Sequence, residues 1–191
     1  MTAAHKSSPL LPRRRRLLVS AGLTAAAALG HRVAAASAPR PGPVALRGPA
    51  ELAFYNTHTG ERLSLGYREG GHYLTDAMSA IERLLRDHRT DEVAPIDPAL
   101  LDQLHVLGGL LDAKQPFHVI SGYRSPATNA KLAARSGGVA KRSLHMSGQA
   151  IDVRLPGRRL EDLHRAALSL QAGGVGFYRP SHFVHLDTRP V

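Results

Sequence analysis

Cysteine is absent from this 191-residue chain. Disulfides are therefore excluded, as is a lipid-modified N-terminal cysteine, and a metal site here must be built without thiolate, which suits an oxidising compartment. Long hydrophobic runs are missing too. The apolar run from Leu17 to Leu29 falls short of the ~20 residues that an ordinary membrane-spanning helix needs. Aromatic residues make up only 5% of the chain and no basic patch is interleaved with them, which argues against nucleic acid as a partner. No Gly-x-Ser-x-Gly elbow surrounds Ser121 or Ser125, and no histidine and acid stand where a triad would need them. A serine hydrolase is disfavoured.

What is present begins with a leader. Arg13 to Arg16 precede the apolar run, and Ala34-Ala35-Ala36 and Ala36-Ser37-Ala38 offer small-residue cleavage sites, the pattern of a signal peptide over 1–38. Consecutive arginines followed by Leu17-Leu18 resemble a twin-arginine export signal, which places the mature protein in a bacterial periplasm. An uncleaved N-terminal anchor is the alternative, since His31 and Arg32 follow closely. With the leader removed, no stable membrane insertion is expected. The formal charge of +10 largely belongs to this leader: Lys6, Arg13 to Arg16 and Arg32 are six of the 25 basic residues, leaving 19 against 15 acids, or +4. Such a modest excess fits an anionic cell wall or an ordinary solvated surface.

A proline-rich linker over 39–49 leads into one domain, 50–191. Leu52, Phe54 and Asn56 alternate, His58-Thr59-Gly60 turns the chain, and Arg62 to Leu65 returns as the second arm of a hairpin. Leu74, Ala77, Met78, Ile81, Leu84 and Leu85 recur at helical spacing, and the charged group Arg83, Arg86, Asp87, His88 and Arg89 reads as a solvated helix end. A second helix starts at Asp97 as N-cap with Pro98 at its first position. His58 reads as an exposed turn residue, His105 and His118 as structural. Phe117 to Ser121 reads as a buried strand that delivers Tyr123 and Arg124 to its end. Ser125 caps and Pro126 opens a short helix through Arg135. A third main helix, carrying Leu160, Leu163, Ala167 and Leu170, is expected to end at Gly173-Gly174. Val175 to Tyr178 and Phe183 to Asp187 then form a hairpin that brings Tyr178 and His182 near His185.

The chemistry concentrates in Ser121 to Asp152. His145 and Asp152 are seven residues apart, the second on a strand over Gln149 to Leu155, with Gly148 between them for a tight turn. Alternation in Phe183-Val184-His185-Leu186-Asp187 buries Val184 and Leu186 and turns His185 and Asp187 to the other face. His145, Asp152 and His185 together make a zinc set, because a catalytic zinc takes three imidazole or carboxylate ligands and leaves a fourth position for water, whose pKa then falls to about 7. Arg124 carries a planar guanidinium able to grip a carboxylate with two parallel hydrogen bonds. Internal pairing of Arg124 with an acid such as Asp187 is the alternative. Ser143 either fixes the loop backbone or contacts substrate, and Asn129 bonds either a loop or substrate.

Ser121-Gly122-Tyr123-Arg124-Ser125, Asn129, Ser143-Leu144-His145-Met146 with Gly148, Ala150 and Asp152, then Gly173 to Tyr178 and Phe183 to Asp187, together resemble the YcbK-like murein endopeptidases, which belong with the zinc D-alanyl-D-alanine carboxypeptidases and the hedgehog fold. The resemblance runs from about Leu52 to Asp187. It implies an α+β fold, a small antiparallel sheet flanked by helices, and a zinc peptidase that cleaves peptide cross-links of peptidoglycan. It also makes His145, Asp152 and His185 the zinc ligands and puts Arg124 at a carboxylate of the substrate, the peptidoglycan stem peptides; Tyr123 and Ser143 are further candidates for substrate contact. The chain is read as a monomer.

Two positions depart from the family pattern. Related enzymes commonly place an acid three residues before the last histidine ligand, where this chain has His182, and histidine can exchange protons near neutral pH. His182 is therefore the first choice of catalytic base, with Asp187 as rival or as a carboxylate that orients a ligand. Arg189 stands where relatives often have glycine, and the chain stops soon after, at Val191. A D,D- or L,D-carboxypeptidase on the same scaffold and a non-catalytic zinc-containing wall-binding module remain the other readings.

Overall fold

Alternation along the first strand sets the architecture. In β1 (Ala50–Asn56) every second side chain, Ala50, Leu52, Phe54 and Asn56, is buried, so one face of the strand must be covered. In the computed structural model, which describes residues 48–135 and 140–191, that cover comes from helices. The leader at 1–38, nearly all of the proline-rich stretch at 39–49, and Ser136-Gly137-Gly138 lie outside the described residues. Among the described residues no helix is long and apolar enough to cross a membrane.

β1 pairs antiparallel with β2 (Arg62–Glu69), which in turn pairs with the two-residue β3 (His72–Tyr73). Helices α1 (Thr75–Leu84) and α2 (Pro98–Leu110) follow, and the chain re-enters the sheet as β4 (Phe117–Ser121), parallel to β1. A parallel neighbour needs a crossover connection, and the two helices provide it. After α3 (Pro126–Arg135) and a single 3-10 turn (Leu144–Ser147) come β5 (Ala150–Arg154), α4 (Leu160–Leu170) and the hairpin of β6 (Val175–Tyr178) and β7 (Phe183–Asp187). The strand order is β3-β2-β1-β4-β5-β7-β6. The α+β class holds, and the sheet is mostly antiparallel, but among the described residues it has seven strands and one parallel contact, larger and more mixed than the small antiparallel sheet expected.

One apolar core joins the elements. Ile81, Leu85, Leu100, Leu101, Leu104 and Leu107 of the helical layer meet Phe54, Val119, Ile151, Val153, Val184 and Leu186 of the sheet. Because side chains alternate across a strand, burying Ile151, Val153, Val184 and Leu186 forces Asp152, His185 and Asp187 onto the opposite face. Core packing thereby orients the polar residues.

Asp97 accepts a hydrogen bond from the Ala99 N–H at 3.0 Å with Pro98 behind it, the helix start expected. Ser125 likewise accepts from the Thr128 N–H. Three expectations need correction. β2 runs on to Glu69, because Tyr67 and Arg68 are buried and both bond to Asp102 on α2, at 2.7 and 2.9 Å. α4 ends at Leu170 and is capped by Gln171, which takes the left-handed conformation itself, while Gly173 and Gly174 make room for Asp187.

The charged stretch after α1 is the third correction. Arg86 and Asp87 are buried, not solvated. Asp87 accepts the Ser125 N–H at 2.9 Å and the Arg89 N–H at 2.9 Å, and so ties the end of α1 to the start of α3, next to Arg124. Burial alone would raise its pKa, but hydrogen bonds from the Thr128 side chain and from these two backbone groups outweigh it and hold the carboxyl well below its ordinary value. A lowered folded-state pKa stabilises the protein at neutral pH, and that contribution fades as acid protonates the group. Asp87→Asn is accordingly expected to lose about 1–3 kcal/mol at pH 7 in urea unfolding. Its deficit against the parent should shrink as pH falls below about 4. A deficit that stays constant down to pH 2 would contradict this role.

Candidate metal centre and its cleft

Asp152 and His185 meet because β5 and β7 pair in a register that sets them directly opposite each other. His145 reaches them from the 3-10 turn. Ser143 starts that turn by accepting the His145 N–H at 3.4 Å, and Gly148 ends it at φ 66°. A Cβ on Gly148 would lie 2.0 Å from the Pro95 carbonyl oxygen, so only glycine fits on both grounds. His145 Nε2 lies 3.4 Å from Asp152 Oδ1, and His185 Nδ1 lies 2.8 Å from the same oxygen. One donor atom from each of the three residues falls within 4.8 Å of the others.

The protons of the two imidazoles are committed elsewhere. His145 Nδ1 is 2.7 Å from the Gly122 carbonyl oxygen, which can only accept, so Nδ1 carries the hydrogen and Nε2 presents a lone pair. His185 faces a carboxylate on each side, Nε2 3.2 Å from Asp187 Oδ2 and Nδ1 2.8 Å from Asp152 Oδ1, so when Nε2 gives its hydrogen to Asp187, Nδ1 presents a lone pair. Two lone pairs and a carboxylate then face one point. Only a cation or an added proton satisfies such an arrangement, and it is the set a divalent metal takes. In the metal-free site an added proton takes the cation's place, and the hydrogen bonds that His145 and His185 then give Asp152 hold its carboxyl at about 2, although burial works in the other direction. Burial disfavours charge on His185, yet Asp152 and Asp187 together raise its pKa above the ordinary value.

Asp187 is fully buried and held from several sides. The Gly174 N–H at 2.9 Å and the Arg189 N–H at 3.0 Å donate to Oδ1, and Arg189 Nε lies 2.9 Å from both oxygens. Burial would raise its pKa, but Arg189 and these backbone donors bring it to about 2. A Cβ on Gly173 would lie 1.8 Å from the Asp187 carbonyl oxygen, and one on Gly174 would lie 2.5 Å from Oδ2. The glycine pair makes room for Asp187. Arg189, the departure at the C-terminus, is what neutralises it.

A cleft of about 440 Å³ opens over the three residues, with Arg124, Ser143, Tyr178 and Arg189 in its walls. Arg124 is nearly buried, its Nη2 3.2 Å from Ser121 Oγ and 3.8 Å from Asp152 Oδ2, its Nη1 3.4 Å from Asn129 Oδ1. Its Nε has no partner among the described residues. Burial lowers its pKa. The alternative pairing with Asp187 does not occur, because Arg189 fills that position. Asn129 is buried and donates to the Ala140 carbonyl at 3.1 Å, linking Arg124 to the loop before His145.

Two expected site residues fall outside the cleft. Tyr123 donates its N–H to Leu85 O at 2.8 Å and packs, partly buried, against the hydrophobic core, and it does not line the cleft. His182 is exposed in the turn between β6 and β7 with φ 55°, and it does not line the cleft. Asp87, Asn129 and the Asp187–Arg189 pair were not singled out as a connected support. The doublet Gly173-Gly174 ahead of a strand bearing His185 and Asp187 was the available signal for the last of these.

The purified protein should take up one divalent ion per chain. His145→Ala, Asp152→Asn and His185→Ala should each abolish uptake in a chelator competition. Asp187→Asn should keep the ion but weaken it by roughly 10–100-fold, as loss of an orienting partner does. Unchanged affinity in Asp187→Asn would show that Asp187 serves only the fold.

The chain was compared with known proteins. A peptidase family model described as peptidoglycan L,D-endopeptidase MepK matches residues 44–191. Peptidoglycan L,D-endopeptidase MepK of Escherichia coli K12 is 43% identical over 178 residues, covering 93% of this chain and 94% of that protein. The protein of the same name from Shigella flexneri shows the same identity and coverage. The probable peptidoglycan L,D-endopeptidase MepK of Haemophilus influenzae is 41% identical over 146 residues, covering 75% of this chain and 77% of that protein. With its fold, its cleft and its full-length similarity in agreement, this chain belongs to the MepK family of M15 peptidases.

Proposed function

We propose that this chain is a zinc-dependent endopeptidase that hydrolyses L,D peptide cross-links between peptidoglycan stems, acting in the periplasm as a monomer after its leader is removed. The observation that carries the reading is the convergence of His145 Nε2, His185 Nδ1 and Asp152 Oδ1 at the floor of a cleft, with Arg124 in its wall. Two imidazole nitrogens and a carboxylate oxygen are a donor set that zinc takes, and His145, Asp152 and His185 would hold it. When bound, zinc would supply Lewis-acid polarisation of the scissile carbonyl and lower the pKa of a water molecule.

The protein's own residues hold the substrate and the ligands. Arg124, desolvated and only partly satisfied, grips a carboxylate of the stem peptide beside the bond to be cut. Ser143 fixes the turn that carries His145, and Asp187 holds the His185 ring in the tautomer the site needs. His182 and Asp187 were the two choices for the base. His182 is exposed outside the cleft, and Asp187 is surrounded by donors and held at about 2, so positioning, not proton transfer, is the role that Asp187 supports.

Isolated peptidoglycan incubated with the protein should yield monomeric stems from cross-linked dimers, read by mass spectrometry. Chelator should stop the reaction, zinc restore it, and His145→Ala lack it. Arg124→Lys keeps the charge but not the fork, and a fall of about tenfold or more in kcat/KM is expected. Trimming of terminal residues without opening of dimers would favour the carboxypeptidase, and bound zinc with no change in any muropeptide would favour the binding module.

A further inference from the structure

On the peptidase reading above, the cleft has a cation-bearing wall at Arg124 but no side chain yet assigned as hydrogen-bond donor to the oxygen that gathers charge as the amide carbonyl becomes tetrahedral. The β6–β7 hairpin supplies one. In its register Gly176 lies opposite His185, and Tyr178 lies opposite Phe183, all four on the face that carries Asp152. Gly176 has no side chain, and the Tyr178 ring occupies that space: a Cβ on Gly176 would lie 2.8 Å from Tyr178 Cε2 and 3.2 Å from His185 Cβ. The ring is thus leaned along the strand toward the ligand His185. Its other face is stacked on Phe183, with centroids 4.6 Å apart and planes 18° from parallel.

Tyr178 lines the same cleft as Arg124 and is close enough for the two to interact electrostatically. Its hydroxyl has no hydrogen-bond partner among the described residues, unlike those of Tyr67 and Tyr73, which both bond to Asp102. A phenol O–H can donate a hydrogen bond without changing charge. We infer that Tyr178 is a catalytic residue: its O–H donates a hydrogen bond to the oxygen of the tetrahedral intermediate, with Gly176 and Phe183 positioning its ring. No proton need be transferred. The bond strengthens as charge develops on that oxygen, which is the condition for lowering the barrier instead of merely binding substrate.

The test is Tyr178→Phe in the zinc-loaded protein, assayed on cross-linked muropeptide dimers. Zinc content and Tm should match the parent, KM should stay within about twofold, and kcat should fall roughly 100-fold, as when one donor to such an oxygen is removed. A phosphinate pseudo-peptide, which imitates the tetrahedral carbon, should bind the variant more weakly by a similar factor in calorimetry, a readout independent of turnover. Gly176→Ala, which pushes the ring away without removing the hydroxyl, should lower kcat too and add little in the double variant. A Tyr178→Phe enzyme with parental kcat, or one impaired only in KM, overturns the inference while leaving the peptidase reading intact. Failure of the parent itself to open dimers overturns both.

Discussion

The site depends on where two imidazole hydrogens go. His145 Nδ1 is taken up by the Gly122 carbonyl and His185 Nε2 faces Asp187, which leaves one nitrogen of each ring to face Asp152. Each partner is itself fixed from behind. Gly122 lies so close to Leu85 that a Cβ there would be 2.5 Å from its carbonyl oxygen, and Asp187 is locked by Arg189 and the backbone of Gly174. Orientation of the ligands is therefore set by buried backbone and by one neutralised carboxylate.

The sheet converts core packing into that geometry. Val184 and Leu186 cannot be buried against the helices without turning His185 and Asp187 outward, and the β5–β7 register cannot bury Ile151 and Val153 without setting Asp152 opposite His185. A slip of one residue would exchange the faces and dismantle the site. Support then passes outward through polar contacts. Asp87 ties α1 to Ser125, and Asn129 ties Arg124 to the loop that carries the 3-10 turn.

Local signals were readable and remote ones were not. The period-two pattern at 183–187 and the turn chemistry around Gly148 identified the ligand-bearing segments, and Asp97-Pro98 marked a helix start, because each is a relation between neighbours in sequence. Asp87 looked like one more charge at a solvated helix end because its donor, the Ser125 N–H, lies 38 residues away. Gly173-Gly174 looked like a helix stop, and only the return of β7 shows that Asp187 occupies the space they leave. His182 stood at the right sequence offset from His185, but a positive φ in a short turn carries it out of the cleft. An offset that suits one turn geometry does not survive a change of turn.

The hydrogens on the two imidazoles can be read directly. Long-range proton–nitrogen NMR correlation on the zinc-loaded protein reports which nitrogen of each histidine carries a hydrogen and which is metallated. The account predicts Nδ1–H with a metallated Nε2 for His145, and the reverse, Nε2–H with a metallated Nδ1, for His185. Finding the same tautomer in both rings, or no metal shift in either, would contradict it.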